Sequence, residues 1–295
     1  MSQVSTYNTL ALSSGINVSY IEAGSPHNPT LLLLHGLPSS SNQFRNLIPL
    51  LAASYHILAP DLPSYGLTTV PADFVYTFEN LTKVTGSFLE ALKITSYAVY
   101  IFDYGAPVGF RLATASPTSS PVKAIISQNG NAYDSGFGHP FWTPVEALWN
   151  SSNALPEREY LRNNFFTLES CRYQYEVGVP ASDLKLINPA AWTYDFEQNI
   201  QGKENQDRQL DILYDYRTNK ALYPAWQKYL RESQVPLLAI WGKNDPCFIY
   251  PGAEAFKKDL PHAKVELLDA GHFALETKVG VIAEEALKFL KGVKF

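Results

Sequence analysis

Apolar positions fall into short runs separated by polar, Gly- and Pro-rich breaks, and two periodicities alternate along the first part of the chain. Residues 6–12 and 16–23 flank Ser13, Ser14 and Gly15 and read as a hairpin. Unbroken apolar runs at 30–34, 56–59, 97–102 and 122–127 read as strands buried on both faces. Helical spacing lies between them at 44–51, 78–92 and 108–115. This alternation predicts an α/β fold with a mostly parallel sheet and helices on both faces.

The alternation stops near Asn131 and resumes with a strand at 236–241, a helix around 252–258, a strand at 264–268 and a last helix at 279–290. The stretch between reads locally as irregular, rich in Pro, Asn and Ser, and holds four tryptophans and nine tyrosines. Residues 1–130 and 236–295 are expected to form one core. Residues 131–235 would be a cap over the carboxyl edge of the sheet, where open α/β sheets bind ligands.

Composition narrows the function classes. The 295 residues are 46% hydrophobic and 17% charged, with a net charge of −5 and scattered basic residues, unlike a nucleic-acid surface. No apolar stretch approaches a membrane span. The N-terminus lacks the basic and apolar regions of a signal peptide, so the glycosylation triplets at Asn17, Asn80 and Asn150 carry little weight. Cys171 and Cys247 match neither a disulfide framework nor a zinc spacing. The expectation is a cytoplasmic protein acting on a small apolar substrate and water, with no cofactor, metal, nucleic acid or membrane involved.

Candidate chemistry sits where predicted strands end. The run ending at Phe102 passes through Asp103, Tyr104 and Gly105 into a helix, the layout of a nucleophile elbow with aspartate in the usual serine position. Asp103 equally fits a cap for that helix, and Ile101 is bulky where a small residue is usual. His35, Gly36, Leu37 and Pro38 follow the strand at 30–34, so the N–H groups of Leu37 and Tyr104 would make an oxyanion hole. Asp61 to Thr68 form a turn-rich loop expected to be structural. Asp245 follows the strand at 236–241, and His272 follows Gly271 after the strand at 264–268. That is the chain order nucleophile, acid, histidine. A rival acid after 122–127 is disfavoured, since Gln128, Asn129, Gly130 and Asn131 hold no carboxylate.

Together these motifs resemble the α/β-hydrolase superfamily, and the Asp103-Tyr104-Gly105-Ala106 apex resembles its aspartate-nucleophile branch of epoxide hydrolases and haloalkane dehalogenases. The resemblance implies a mainly helical cap, a covalent aspartyl ester, and a histidine-activated water that hydrolyses it. Dehalogenases hold halide with side-chain N–H donors, often a tryptophan after the nucleophile; Tyr104 and Leu37 supply none. Epoxide hydrolases use cap tyrosines to protonate the oxygen. Tyr216, and either Tyr173 or Tyr175, lie in stretches similar to those carrying them. His35, Pro38, Trp142 and Trp149 are candidates for lining the substrate pocket. The expected activity is opening of an epoxide to a vicinal diol. A haloalkane dehalogenase and a non-catalytic ligand-binding homologue are the alternatives.

Overall fold

A computed structural model describes residues 4–115 and 120–295. Its strands are β1 Thr6–Ala11, β2 Asn17–Ala23, β3 Thr30–Leu34, β4 His56–Pro60, β5 Tyr97–Phe102, β6 Val122–Gln128, β7 Leu237–Gly242 and β8 Lys264–Leu268. They form one sheet in the order β1-β2-β4-β3-β5-β6-β7-β8. β1 and β2 pair antiparallel, as do β2 and β4; from β4 to β8 every pairing is parallel.

Among the described residues the α-helices are α1 Ile48–Leu51, α2 Phe78–Ala91, α3 Gly105–Thr114, α4 Thr143–Asn150, α5 Leu155–Asn164, α6 Leu168–Glu176, α7 Pro189–Asp195, α8 Lys203–Asp215, α9 Arg217–Ser233, α10 Pro251–Ala255 and α11 Leu275–Leu290. The period-two alternation within β3 shows how the sheet is covered. Leu32 and Leu34 pack with Phe78, Leu81 and Val108 of α2 and α3 on one face. Leu31 and Leu33 pack with Ile48, Leu51, Ile282 and Ala286 of α1 and α11 on the other. Each fully buried leucine contributes on the order of 1.5–3 kcal/mol of apolar transfer.

Boundaries shift where local chemistry intervenes. The expected helix at 44–51 is a 3-10 turn, Ser41–Phe44, capped by Ser40, then the short α1 with a proline in its first turn. The last helix begins four residues before 279, with a non-helical kink at Lys278.

The stretch that looks irregular in sequence folds as α4–α9, an insert between β6 and β7. Three of its prolines start helices, and Pro224 is carried inside α9. Pro144, Pro156 and Pro189 occupy the first turns of α4, α5 and α7, where a missing N–H does no harm. Thr167 and Asn188 cap α6 and α7 with their side chains.

Three fully buried polar residues tie the insert to the core loops that follow β3 and β4. Asn199 donates to the Pro38 carbonyl at 2.7 Å and accepts the Gly66 N–H at 2.8 Å. Gln209 accepts the Tyr65 hydroxyl at 2.6 Å. Asp195 accepts the Ser39 hydroxyl at 3.2 Å. These bonds hold the insert against the loops at the carboxyl ends of β3 and β4.

Candidate active site

Asp103 sits between β5 and α3 with φ +46°, a left-handed conformation that non-glycine residues rarely adopt. Two neighbours make room for the turn. A Cβ at Gly36 would collide with the Asp103 side chain. The bulk of Ile101 is absorbed by Gly109 of α3, where any Cβ would strike Ile101 Cγ2. The elbow thus closes because the missing volume lies one helical turn into α3. Asp103 does not cap that helix, which has no side-chain cap. Its Oδ1 instead accepts the Leu37 N–H at 2.7 Å. Burial pushes the Asp103 carboxyl up to about 6, while His272 and the N–H groups of Leu37 and Tyr104 favour its charged form.

The loops after β7 and β8 bring the acid and the imidazole together. His272 Nδ1 lies 2.6 Å from Asp245 Oδ2, and its Nε2 lies 3.9 Å from Asp103 Oδ2. Nε2 makes no hydrogen bond among the described residues, so it is not spent on the structure. Burial works against charging this ring, but Asp245 and then Asp103 outweigh it and raise its pKa. Asp245 is held in turn: Asn129 Nδ2 donates to Oδ2 at 2.7 Å, and the Cys247 N–H donates to Oδ1 at 2.6 Å. Asn129 also accepts the Gly242 N–H at 2.9 Å, pinning the end of β7. It lies just after β6, where the sequence has an amide at the strand end in place of a carboxylate, and that position is the sequence signal for it.

The aromatic residues of the insert divide sharply. Tyr216 is fully buried, and its ring packs on Tyr104, Trp142 and Trp149 at centroid distances of 5.7, 5.0 and 6.2 Å. Asp103 lies close enough to raise its pKa further, after burial and Tyr223. The Tyr216 hydroxyl has no hydrogen-bond partner among the described residues. The Tyr223 phenol is close enough to raise its pKa, so the Tyr216 hydroxyl faces a second phenol as well as Asp103. Leaving a buried hydroxyl unpaired costs about 1–3 kcal/mol.

Tyr175 is equally buried, yet its hydroxyl donates to Asp195 at 2.5 Å and its ring stacks on Phe273 at 3.9 Å. Tyr173 is 43% exposed and borders a surface groove with Phe141 and Phe165. The structure brings Tyr216 to Asp103 and does not bring Tyr173 or Tyr175 there. Trp142 and Trp149 back Tyr216, but their indole N–H groups donate to the Cys247 and Leu213 carbonyls at 2.7 and 2.9 Å.

The alpha/beta hydrolase fold family matches residues 29–279. The chain is an α/β hydrolase. It is 46% identical, over 287 residues, to an uncharacterized hydrolase of Saccharomyces cerevisiae, covering 96% of this chain and 97% of that relative. Among solved structures it is similar to a haloalkane dehalogenase of Bradyrhizobium elkani, with TM-score 0.78 and 22% identity over 98% of both chains. It is also similar to an epoxide hydrolase, with TM-score 0.76 and 19% identity over 98% of this chain and 99% of that one. These two structures establish the shared fold and do not choose between their chemistries.

Two of the candidates for lining the pocket make structural hydrogen bonds. His35 Nε2 accepts the Leu62 N–H at 2.9 Å, and burial drives its pKa down to about 4, so the ring stays neutral. It anchors the loop after β4. The Pro38 carbonyl is taken by Asn199 of the insert. The loop from Asp61 is held internally: Asp61 accepts the Ser41 and Leu67 N–H groups at 2.8 and 3.0 Å.

Asp245, Cys247 and His272 lie close enough together to hold a metal ion. Their donors are already committed. Asp245 is shared among three donors, and burial together with Asp245 keeps the Cys247 thiol protonated by raising its pKa well above the usual range. Among the described residues no helix is long and apolar enough to cross a membrane.

Proposed function

We propose that this hydrolase opens epoxides to vicinal diols through an ester on Asp103. The observation that carries the reading is the buried, unpaired hydroxyl of Tyr216 beside the Asp103 nucleophile. An epoxide oxygen needs a proton as its C–O bond breaks, and a neutral phenol supplies it. Asp103 attacks the ring carbon, and the electron pair of the broken bond goes to the oxygen. His272 Nε2, oriented by Asp245 and Asn129, takes a proton from the water that then attacks the ester carbonyl. The Leu37 and Tyr104 N–H groups hold the tetrahedral oxyanion. The intermediate collapses as the diol oxygen takes the proton from His272, and Asp103 returns its own proton to the phenolate. Residues 131–235 serve in this reading as the lid that excludes bulk water.

Halide loss fits less well, because the indole N–H groups of Trp142 and Trp149 are committed to main-chain carbonyls. Leu37 and Tyr104 offer no side-chain N–H in the corresponding places. The test is mass spectrometry of a His272→Gln variant mixed with styrene oxide. That variant should accumulate a substrate-sized adduct on Asp103. Wild-type turnover of the same epoxide with no adduct in the variant would refute the covalent route. Halide release from haloalkanes with epoxides untouched would refute the substrate class.

A further inference from the structure

The geometry points to Tyr104, on the core and not on the insert, as the second phenol that holds the epoxide oxygen together with Tyr216. This inference rests on the epoxide-opening reading and adds a second phenol at the oxygen to the one that reading names.

Buried phenols of this protein differ in their pairing. Those of Tyr65, Tyr100, Tyr133 and Tyr175 donate to Gln209, Gln128, Asp259 and Asp195 at 2.6, 2.5, 2.6 and 2.5 Å. Those of Tyr104 and Tyr216 have no partner among the described residues. Tyr104 and Tyr216 are neighbours, with ring centroids 5.7 Å apart, and both rings pack edge-on against Phe78, at 5.1 and 5.4 Å. Both also feel the charge of Asp103. A folded protein pairs its buried hydroxyls almost everywhere. Two adjacent unpaired donors beside one nucleophile therefore describe a site for a single acceptor atom with two lone pairs.

The placement suits the chemistry. Tyr104 follows Asp103 directly, so its ring is fixed to the elbow whatever the insert does, whereas Tyr216 arrives with the α8–α9 junction. Burial keeps both phenols protonated at working pH, and each is ready to donate. As the C–O bond breaks, one phenol transfers its proton to the oxygen while the other donates a hydrogen bond to it. The phenolate so formed recovers a proton from Asp103 after ester hydrolysis.

In the His272→Gln background, ester formation on Asp103 with styrene oxide is followed by rapid quench and mass spectrometry. Tyr104→Phe should slow it by about 100-fold, the lower end of what a positioned acid contributes. In protein that retains His272, breakdown of the ester should proceed at the parental rate. Unchanged ester formation, or equal slowing of both steps, would overturn the assignment. A trifluorotyrosine at position 104 guards against a packing effect, since it keeps the ring and lowers the phenol pKa. Ester formation that responds to fluorination supports a proton donor; indifference overturns it. If wild-type protein opens no epoxide, the substrate class falls by itself. Tyr104 is then read with 1-bromobutane, where slowed bromide release in Tyr104→Phe retains the donor role and unchanged release removes it.

Discussion

The two flanks of the insert bury tyrosines equally well and use them in opposite ways. On the α6–α7 flank, Tyr175 donates to Asp195, which also accepts Ser39 from the core. These two groups are both paired, and the flank works as an anchor. At the α8–α9 junction, Tyr216 lies among Trp142, Trp149 and Phe137 with its hydroxyl unsatisfied. The difference teaches that burial alone does not mark a functional tyrosine. The state of its hydrogen bond adds the distinction, because an unpaired buried donor is costly and is available to a group from outside the fold.

Three substitutions sharpen or break that contrast. Tyr216→Phe should lower kcat on an epoxide by about 100-fold, with an unchanged melting temperature because no internal hydrogen bond is lost. A large loss of stability with normal turnover would reverse the assignment of the two flanks.

Asp195→Asn addresses the anchor through pH. Burial raises the Asp195 carboxyl from 3.8 to about 7, against the pull of Tyr175 and Ser39. The unfolded chain therefore releases this proton first. The contribution of Asp195 to stability is fully present below pH 3.8 and lost as pH rises through about 7, by at most roughly 1.4 kcal/mol per pH unit. Chemical denaturation from pH 4 to 8 should show a flatter dependence in Asp195→Asn than in wild type; equal slopes would exclude a buried titrating anchor.

The smallest effect is expected from Tyr175→Phe. It should destabilise the protein by about 1 kcal/mol at pH 6, where Asp195 is largely neutral, and leave kcat within a few-fold of wild type. A loss of turnover matching that of Tyr216→Phe would erase the distinction between the flanks.

Much of the site was legible because its parts are local. Asp103, Asp245 and His272 each follow the end of a strand, and the strand ends were marked by apolar runs and Gly- or Pro-containing turns. The elbow needed only the passage from β5 into α3. What escaped was pairing across distance. Asn129 meets Asp245 from 116 residues away, and Gln209 meets Tyr65 from 144. No periodicity encodes such partners. The helices of the insert were obscured for another reason: prolines and polar caps that start short helices look the same in sequence as those that end them.

By itself, then, the sequence determined the α/β alternation and the placing of Asp103, Asp245 and His272 after strand ends, since both follow from short-range steric and hydrophobic patterns. Only the tertiary structure decided which buried tyrosines are anchors and which are free. It also decided that Gly109 accommodates Ile101, and that Asn129 braces Asp245. These are properties of contacts between distant segments, fixed when the insert closes over the sheet edge and each polar group either finds a partner or is left without one.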